Sequence, residues 1–269
     1  MARAREENFP VASRLLPRAA RAHLLAIYGF ARLVDQIGDD LAGDRSAALD
    51  WVDAELDRVY GGEPAHPLMK RLAVTVAECH LPRDPLDRLV AANRQDQEVD
   101  CYETIGELVG YCELSANPVG HLVLHVFGVA TPDRLRLSDD VCTGLQLTEH
   151  WQDVAEDLER GRVYLPKKDM QRFGCGPEDL ERRPSAPAVR RLLAFEVGRA
   201  RELLDSGVAL VAGLRGRPRL AVAAFVAGGR AALGAIERAD YEVLAGAPRA
   251  TRTDRLRALA GVLAEARRA

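Results

Sequence analysis

The sequence predicts an all-α fold, and two observations support this prediction. Almost every segment with a regular apolar pattern repeats at helical spacing, and we find no convincing alternation typical of a strand. The segments between them, such as Gly61–Pro67 and Gly246–Pro248, are rich in residues that end or begin helices. Because we find no repeat and no low-complexity linker, we expect a single helical domain over residues 1–269.

The composition is that of a globular protein with a substantial core. The chain has 269 residues, of which 48% are apolar, and its net charge of −3 gives no electrostatic footprint for nucleic acid. The five cysteines form no Cys-x-x-Cys pair, so we interpret them as buried thiols in a reducing cytoplasm. The N-terminus lacks an apolar signal core, and no uninterrupted apolar run approaches the ~20 residues that span a bilayer. We expect a cytoplasmic protein, with peripheral contact at the inner membrane surface as the alternative.

The first strong helical pattern runs from about Arg18 to about Asp40. Its central stretch, Leu24–Ala31, is apolar on every side, which implies a helix that is buried all round. Charges on so apolar a helix are costly to bury unless they are paired or bind a metal, so we favour a binding site over a solvated face. The polar residues recur at helical spacing: Tyr28, Arg32, Asp35 and Asp39.

A second helix is predicted between Asp84 and Asp100, with Asp84 as its N-cap and Pro85 as its first residue. Its end is acidic, with Asp96 four residues before Asp100. A solvated helix end explains this segment at least as well as a binding site does, so Asp96 alone is taken as a candidate. The next segment, Thr104–Glu107, fits a capping box and predicts another helix start.

The helical stretch 111–127 is interrupted by Pro118, which removes one backbone hydrogen bond and predicts a kink or a break. Small residues around this proline, among them Ser115 and Gly120, suit a cavity floor or a close helix contact. Asn117 either faces such a cavity or caps a new helix that begins at Pro118. The pattern leaves both interpretations open.

The most acidic helical segment is Gln146–Asp157. Glu149, Asp153 and Asp157 recur every fourth residue, so a helix would place the three carboxylates on one face. Like charges at this spacing weaken an isolated helix, and a divalent cation is the obvious compensation; an ordinary solvated face is the alternative. Basic residues follow closely and would either balance the charge or bind an anion: Arg160, Arg162, Lys167 and Lys168.

Three further bundle helices are predicted, over 188–211, 220–244 and 252–266. The second of these is rich in alanine and glycine, which permits close helix approach. The last carries leucines among arginines, and we expect it to pack on the bundle rather than to lie on a membrane.

Two acidic helices in a helical bundle indicate a Mg²⁺ site for a phosphate ligand, because Mg²⁺ is commonly shared between carboxylates and substrate phosphates. The clusters lack the ligands typical of zinc, and the chain has neither a P-loop nor the Glu-x-x-His pairs of a di-iron bundle. A polar, metal-binding mouth over an apolar interior fits a prenyl diphosphate. Aromatic faces of Phe9, Tyr28 or Tyr164 would stabilise its carbocation.

The sequence resembles the squalene/phytoene synthase family over nearly its whole length. The resemblance implies an isoprenoid-synthase-type helical bundle with a central apolar cavity, on which the two aspartate pairs converge to bind Mg²⁺ and diphosphate. Either pair alone would be a weak signal, but five stretches occur in the family's order. These stretches are Asn8–Pro17, Ala26–Asp39, Tyr111–Gly120, Gln146–Asp157 and Arg162–Pro166.

Together with the patterns above, the resemblance defines the candidate site residues. The metal ligands are expected to be Asp35, Asp39, Glu149, Asp153 and Asp157. The catalytic residues are expected to be Tyr28, Arg32, Asn117, Arg162 and Tyr164. The substrate-binding residues are expected to be Phe9, Gln146, Asp96, Ser115 and Gly120. Two positions depart from the family pattern, since Glu149 replaces the usual Asn and His150 a usually apolar residue; the flanking motifs still predict an active enzyme.

Within the family, the resemblance is greatest to the branch that forms hydroxysqualene in bacterial hopanoid biosynthesis. It depends on Asn8–Ser13, Ser115–Gly120 and Trp151–Gln152. The implied reaction expels diphosphate from presqualene diphosphate, rearranges the carbocation and adds water. We hypothesise that Asn117 and the Leu114 carbonyl freed by Pro118 hold this water.

Two alternatives remain at this point. One is a condensing enzyme of the same family, which joins two prenyl diphosphates into presqualene diphosphate and squalene or into phytoene. The other is a non-catalytic relative that acts as a binding or assembly factor, which should lack the acidic pairs that this chain retains. The expected partners are a prenyl diphosphate lipid and neighbouring enzymes of the squalene pathway, without nucleic acid.

Overall fold

The computed structural model describes residues 18–269, which form helices joined by short loops. Apart from an isolated bridge between Cys101 and Val163, these residues contain no strand, so the all-α prediction is confirmed. The helices are α1 (Arg18–Asp39), α2 (Arg45–Gly61), α3 (Pro67–Cys79), α4 (Asp84–Gln95), α5 (Ile105–Ser115), α6 (Asn117–Val126), α7 (Pro132–Gln152), α8 (Val154–Glu159), α9 (Lys167–Phe173), α10 (Pro177–Leu180), α11 (Pro187–Gly213), α12 (Gly216–Arg238) and α13 (Arg252–Glu265).

The helices group into two compact units. The first comprises the described part of Met1–Glu98 together with Glu113–Arg136, and the second comprises Val99–Cys112 together with Leu137–Ala269. The chain leaves each unit and returns to it, so no single boundary along the sequence separates them. A single domain over the whole chain stays a prediction.

Helix α1 lies at the centre of the first unit, because it packs against α2, α3, α4 and α6. Ile27, Phe30 and Val34 on α1 are buried and belong to the unit's apolar core. The expectation of a helix buried on every side is wrong in part, since Leu25 and Tyr28 are only half-buried. One side of α1 is therefore partly open, and it carries the polar stripe.

Helix α4 begins one residue earlier than the sequence predicted. Asp84 is its first residue, and Arg83 occupies the cap position without a side-chain cap bond. The Asp84 carboxylate instead lies 2.7 Å from the Arg88 guanidinium one turn along, which explains why it does not act as the cap. The helix ends at Gln95, before the predicted end at Asp100.

The break predicted at Pro118 is confirmed. Helix α5 ends at Ser115, and α6 begins at Asn117 with the proline in its first turn. Ala116 occupies the cap position of α6, so the interpretation of Asn117 as a cap is wrong. Because alanine offers no side-chain acceptor, the start of α6 depends on the proline rather than on a capping bond.

Helix α5 begins after a capping arrangement that the sequence predicted in part. The Thr104 hydroxyl accepts a hydrogen bond from the Glu107 amide (3.2 Å), as in a capping box. The Glu107 carboxylate accepts from the Glu103 amide (2.8 Å) rather than from that of Thr104. The reciprocal bond is therefore displaced by one residue.

In the second unit, α11 packs against α9, α12 and α13, and α12 also packs against α13. A Cβ atom at Gly229 on α12 would lie 2.7 Å from Leu204 and 2.8 Å from Leu145, so the predicted close approach is confirmed. Within residues 18–269, α12 is also the helix that is long and apolar enough to cross a membrane on length and composition. More than half of its most apolar window is buried inside the protein, as in the core helix of a globular protein.

Candidate functional site

The polar stripe of α1 carries the first carboxylate pair. The Asn93 amide on α4 donates a hydrogen bond to Asp35 Oδ1 (3.4 Å), and the Arg32 guanidinium lies 4.0 Å from the other carboxylate oxygen. Partial burial raises the pKa of Asp35 to about 6 against the lowering effects of Asn93 and Arg32, and the charges of Asp39 and Asp96 raise it further. The carboxylates at the ends of α1 and α4 therefore act on Asp35.

The close approach of α1 and α4 holds Asn93 in place. Its amide also donates to the Leu89 carbonyl (3.2 Å), and the Gln97 amide donates to the carbonyls of Gly38 (3.1 Å) and Asn93 (2.9 Å). A Cβ atom at Gly38 would overlap the Asn93 amide oxygen, so glycine permits this approach. Sequence reasoning missed Asn93, although its position three residues before Asp96 places both on one helix face.

The first unit contains further candidate residues at the α5–α6 junction. Asn117 is 4% exposed, whereas Ser115 and Gly120 are half-buried. Helix α6 packs against both α1 and α4, which brings this junction into the same unit as the polar stripe. Phe9, the remaining candidate in this half of the sequence, lies outside the described residues.

The second carboxylate pair lies where α7 ends and α8 begins. The helix breaks at Asp153, so the expectation of one continuous acidic helix is wrong. Backbone hydrogen bonds preserve the four-residue spacing across the break. The Asp153 amide donates to the Glu149 carbonyl (2.9 Å), and the Asp157 amide donates to the Asp153 carbonyl (2.8 Å). The Gln152 side chain donates to the Pro248 carbonyl (2.6 Å), which ties the break to a distant loop.

The electrostatic environment of Asp153 is unfavourable for its charge. Partial burial raises its pKa to about 6, and the negative charges of Glu156 and Asp157 raise it further. Arg249 and Arg160 oppose this rise and do not cancel it. A bound cation would relieve the uncompensated charge.

A stacked pair of rings lies beside Asp157. The His150 ring is stacked on Tyr164, with centroids 3.7 Å apart and planes 20° apart. Its Nδ1 atom lies 3.9 Å from Asp157 Oδ2, and its Nε2 atom lies 3.2 Å from the Gln146 side-chain nitrogen. The Arg162 amide donates to the Asp157 carbonyl (2.9 Å), so the segment that follows α8 lies beside this pair of rings.

Two more tyrosines complete an aromatic cluster around Tyr164. The ring centroids of Tyr102 and Tyr111 lie 6.0 and 6.1 Å from that of Tyr164, and all three tyrosines are buried. Sequence reasoning did not place Tyr102 at the site, because it lies far along the chain and in no recognised motif. A small pocket lies beside the cluster. Its lining comprises His150, Val154, Asp157, Leu158, Arg162, Val163, Tyr164, Leu165 and Leu180.

The donor set of these clusters fits Mg²⁺ shared with a phosphate ligand. In residues 18–269, no group of three or more His, Cys, Asp or Glu side chains is arranged to hold a metal by itself. Mg²⁺ often uses only one or two carboxylates, with waters and substrate phosphates as its other ligands. The raised pKa values of Asp35 and Asp153 indicate carboxylates that a cation would stabilise. The five predicted metal ligands stay a prediction.

The family profile described as squalene/phytoene synthase matches residues 2–257. The chain belongs to the squalene/phytoene synthase family. This membership confirms the prediction of an enzyme with squalene/phytoene synthase-type activity.

Individual relatives within the family agree with this assignment. Hydroxysqualene synthase from Rhodopseudomonas palustris is 36% identical over 213 residues, which cover 78% of this chain and 72% of the relative. Presqualene diphosphate synthase from Zymomonas mobilis is 32% identical over 193 residues, covering 70% and 66% of the two chains.

A solved structure of the family agrees as well. The crystal structure of squalene synthase HpnC from Alicyclobacillus acidocaldarius matches with a TM-score of 0.82 and 44% identity, and the match covers 86% of this chain and 88% of that one. The predicted isoprenoid-synthase-type fold is therefore confirmed.

Proposed function

We propose that this member of the family converts presqualene diphosphate into hydroxysqualene with the help of Mg²⁺. The observation that carries the proposal is the presence of two aspartate pairs, each with four-residue spacing, whose first members have a pKa raised to about 6. Similarity to the hydroxysqualene synthase of Rhodopseudomonas palustris supports the choice of reaction.

The aspartate pairs are the proposed metal ligands. Asp35 and Asp39 would hold Mg²⁺ in the first unit, and Asp153 and Asp157 would hold it in the second. Bound Mg²⁺ supplies positive charge that stabilises diphosphate as a leaving group. Glu149 lies one turn before Asp153 and is half-buried, which suits an additional oxygen ligand.

The arginines and aromatic residues have separate proposed roles. Arg32 and Arg162 bind diphosphate oxygens, for which a guanidinium is well suited because it donates two parallel hydrogen bonds. The face of Tyr28 and the face of Tyr164 that is not stacked on His150 would stabilise the carbocation by about 2 kcal/mol or more where water is excluded. The buried tyrosine cluster keeps water from the carbocation until the rearrangement is complete.

Water capture is assigned to the α5–α6 junction. Asn117 is buried and lies at the first turn of α6, where its amide would bind and orient one water molecule. The water oxygen forms a bond to the rearranged carbocation, and the resulting oxonium loses a proton to diphosphate or solvent. The reaction thus yields an alcohol and needs no reductant.

The proposed setting of the enzyme follows from the lipid nature of its substrate and product. We place it in the cytoplasm with peripheral contact at the inner membrane surface. Neighbouring enzymes of the squalene pathway would supply presqualene diphosphate and consume the alcohol.

The decisive experiment incubates the protein with Mg²⁺ and, separately, presqualene diphosphate, farnesyl diphosphate and geranylgeranyl diphosphate. We expect diphosphate release and hydroxysqualene from the first substrate alone, and loss of release when EDTA removes the metal. Presqualene diphosphate or phytoene as the product would instead identify a condensing synthase, to which the Zymomonas mobilis relative is similar. No diphosphate release from any substrate would favour a binding role.

Two matched substitutions test the metal ligands. Asp153→Asn should lower the rate of diphosphate release at least ~100-fold, because it removes a charge that acts in electrostatic stabilisation. Asp133→Asn, at an almost fully exposed position, is the control and should leave the rate unchanged.

A further inference from the structure

We propose that His150 is a positioning residue that orients Asp157 for its ligand. This inference rests on the proposed function, because it takes Asp157 to be a ligand of Mg²⁺. The side chain of His150 is 6% exposed and that of Asp157 is 15% exposed, so both groups lie where protein contacts, rather than bulk water, determine their orientation.

The contacts of the imidazole define which nitrogen carries its proton. His150 Nε2 lies 3.2 Å from the Gln146 side-chain nitrogen, which only donates hydrogen bonds. The imidazole Nε2 therefore accepts this bond, and the proton of the neutral ring resides on Nδ1. The Nδ1–H group faces Asp157 Oδ2 at 3.9 Å. This is electrostatic contact slightly beyond hydrogen-bond length, which a small rotation of the Asp157 side chain would close.

Two charged groups face the imidazole, Asp157 and Arg162. The Nδ1–H group is directed at the Asp157 carboxylate, so it orients Asp157 and leaves the remaining carboxylate oxygen available to a cation.

The ring itself is fixed by its aromatic neighbours. Tyr164 covers one face at a centroid distance of 3.7 Å, and Tyr111 lies 6.3 Å from the ring centroid. Since both tyrosines are buried, His150 has little freedom to turn. A chain of contacts therefore runs from Gln146 on α7 through His150 to Asp157 on α8, across the break at Asp153.

This arrangement has a defined consequence for metal binding. With Oδ2 directed to the imidazole, Oδ1 of Asp157 would remain available to a cation. Hydrogen-bonding partners of metal ligands typically change metal affinity or activity by about 10–100-fold when they are removed. Loss of the ring nitrogens of His150 should therefore raise the Mg²⁺ requirement of the enzyme.

The test compares two substitutions at the same position. His150→Phe keeps the ring stack and removes both nitrogens, whereas His150→Asn keeps an N–H donor near the position of Nδ1. For diphosphate release from presqualene diphosphate, we expect the Phe variant to need about 10–100-fold more Mg²⁺ for half-maximal rate, and the Asn variant to recover most of the loss. His125→Phe, at a half-buried position in the first unit, is the control and should leave the Mg²⁺ requirement unchanged.

A second measurement separates binding from chemistry. Binding of Mn²⁺ in the presence of inorganic diphosphate, followed by electron paramagnetic resonance, should weaken in His150→Phe. In an Asp157→Asn background the same substitution should have little further effect, because the group it orients has changed. If the Phe variant does not fold, His150→Leu makes the same comparison with a smaller side chain.

The outcomes distinguish this inference from the proposed function. A wild-type enzyme that is active, together with a Phe variant of unchanged Mg²⁺ and Mn²⁺ dependence, would overturn the role of His150 alone. If the Phe and Asn variants release diphosphate equally slowly and their metal dependence is unchanged, His150 has a packing role. This result would also overturn the proposed role of His150. A wild-type protein that binds Mn²⁺ and diphosphate, yet releases diphosphate from no substrate, would overturn the proposed function and leave the binding test of His150 valid.

Discussion

At the scale of single residues, the carboxylates of the two aspartate pairs differ from ordinary surface acids. Burial raises the pKa of Asp35 and of Asp153 to about 6, although each has a basic or amide neighbour. A bound cation stabilises a carboxylate in such surroundings more than it stabilises a fully solvated carboxylate. This electrostatic property, rather than the acidic spacing alone, distinguishes a binding site from a solvated helix face.

The role of Asn117 leads to a prediction about product distribution. Asn117→Ala should lower the share of hydroxysqualene among the products, because the amide that binds the attacking water is lost. Diphosphate release should change less than about fivefold, since a single neutral hydrogen bond contributes about 1 kcal/mol. Products are identified by gas chromatography and mass spectrometry. Thr75→Ala removes another buried polar group of the first unit and is the control. An unchanged product ratio would contradict the assignment.

At the scale of helices, the packing of α1 on α4 supports Asp35 from outside its own helix. Asn93 donates to Asp35, and its position depends on the absence of a side chain at Gly38. A similar dependence on distant residues occurs at the α7–α8 break, where Gln152 is bonded to the loop at Pro248. In both places, a helix or loop without a proposed metal ligand holds in position a segment that carries one.

This packing predicts the effect of a single methyl group. Gly38→Ala should destabilise the protein by about 1–3 kcal/mol, because the new Cβ overlaps the Asn93 amide. It should also reduce diphosphate release, because Asn93 can no longer donate to Asp35. Gly198→Ala on α11 is the matched control: its Cβ would meet nothing within 4 Å, and it should stabilise the helix by up to about 1 kcal/mol. Urea unfolding and activity assays measure both effects, and equal behaviour of the two variants would contradict the prediction.

At the scale of the whole molecule, one buried carboxyl group couples stability to pH. Glu196 on α11 is fully buried, and this burial raises its pKa to about 7 despite the nearby Arg199 guanidinium. Arg199 is also paired with Asp169, so it is shared between two acids. The folded protein therefore holds a proton at Glu196 more tightly than the unfolded chain does.

The resulting pH dependence has a definite sign. The contribution of protonated Glu196 to stability is complete below the unfolded pKa of 4.5 and is lost as pH rises through about 7. Glu196→Gln should therefore gain stability relative to wild type between pH 4.5 and 7.5, by on the order of 1–3 kcal/mol. Urea unfolding at four pH values measures the difference. Glu202→Gln, exposed on the same helix, controls for the loss of one charge. A difference that does not change with pH would contradict the assignment.

Features that depend on local pattern could be predicted from the amino-acid sequence. Helical spacing predicted an all-α fold, Pro118 predicted a break, and the paired spacing at Asp35 and Asp153 predicted where carboxylates would gather. These succeed because helix periodicity and proline stereochemistry act between residues a few positions apart. Five motifs in order were enough for family membership. The convergence of the two aspartate pairs on one cavity stays a prediction.

Features that depend on residues far apart in the chain emerge only in the folded protein. Contacts between elements bring Asn93 to Asp35, Tyr102 to Tyr164, and the Pro248 carbonyl to the break after Gln152. The direction of the His150 ring likewise depends on packing between α7 and the segment after α8. No local pattern encodes such contacts, because they arise from burial and shape complementarity across elements that meet only when the chain is folded.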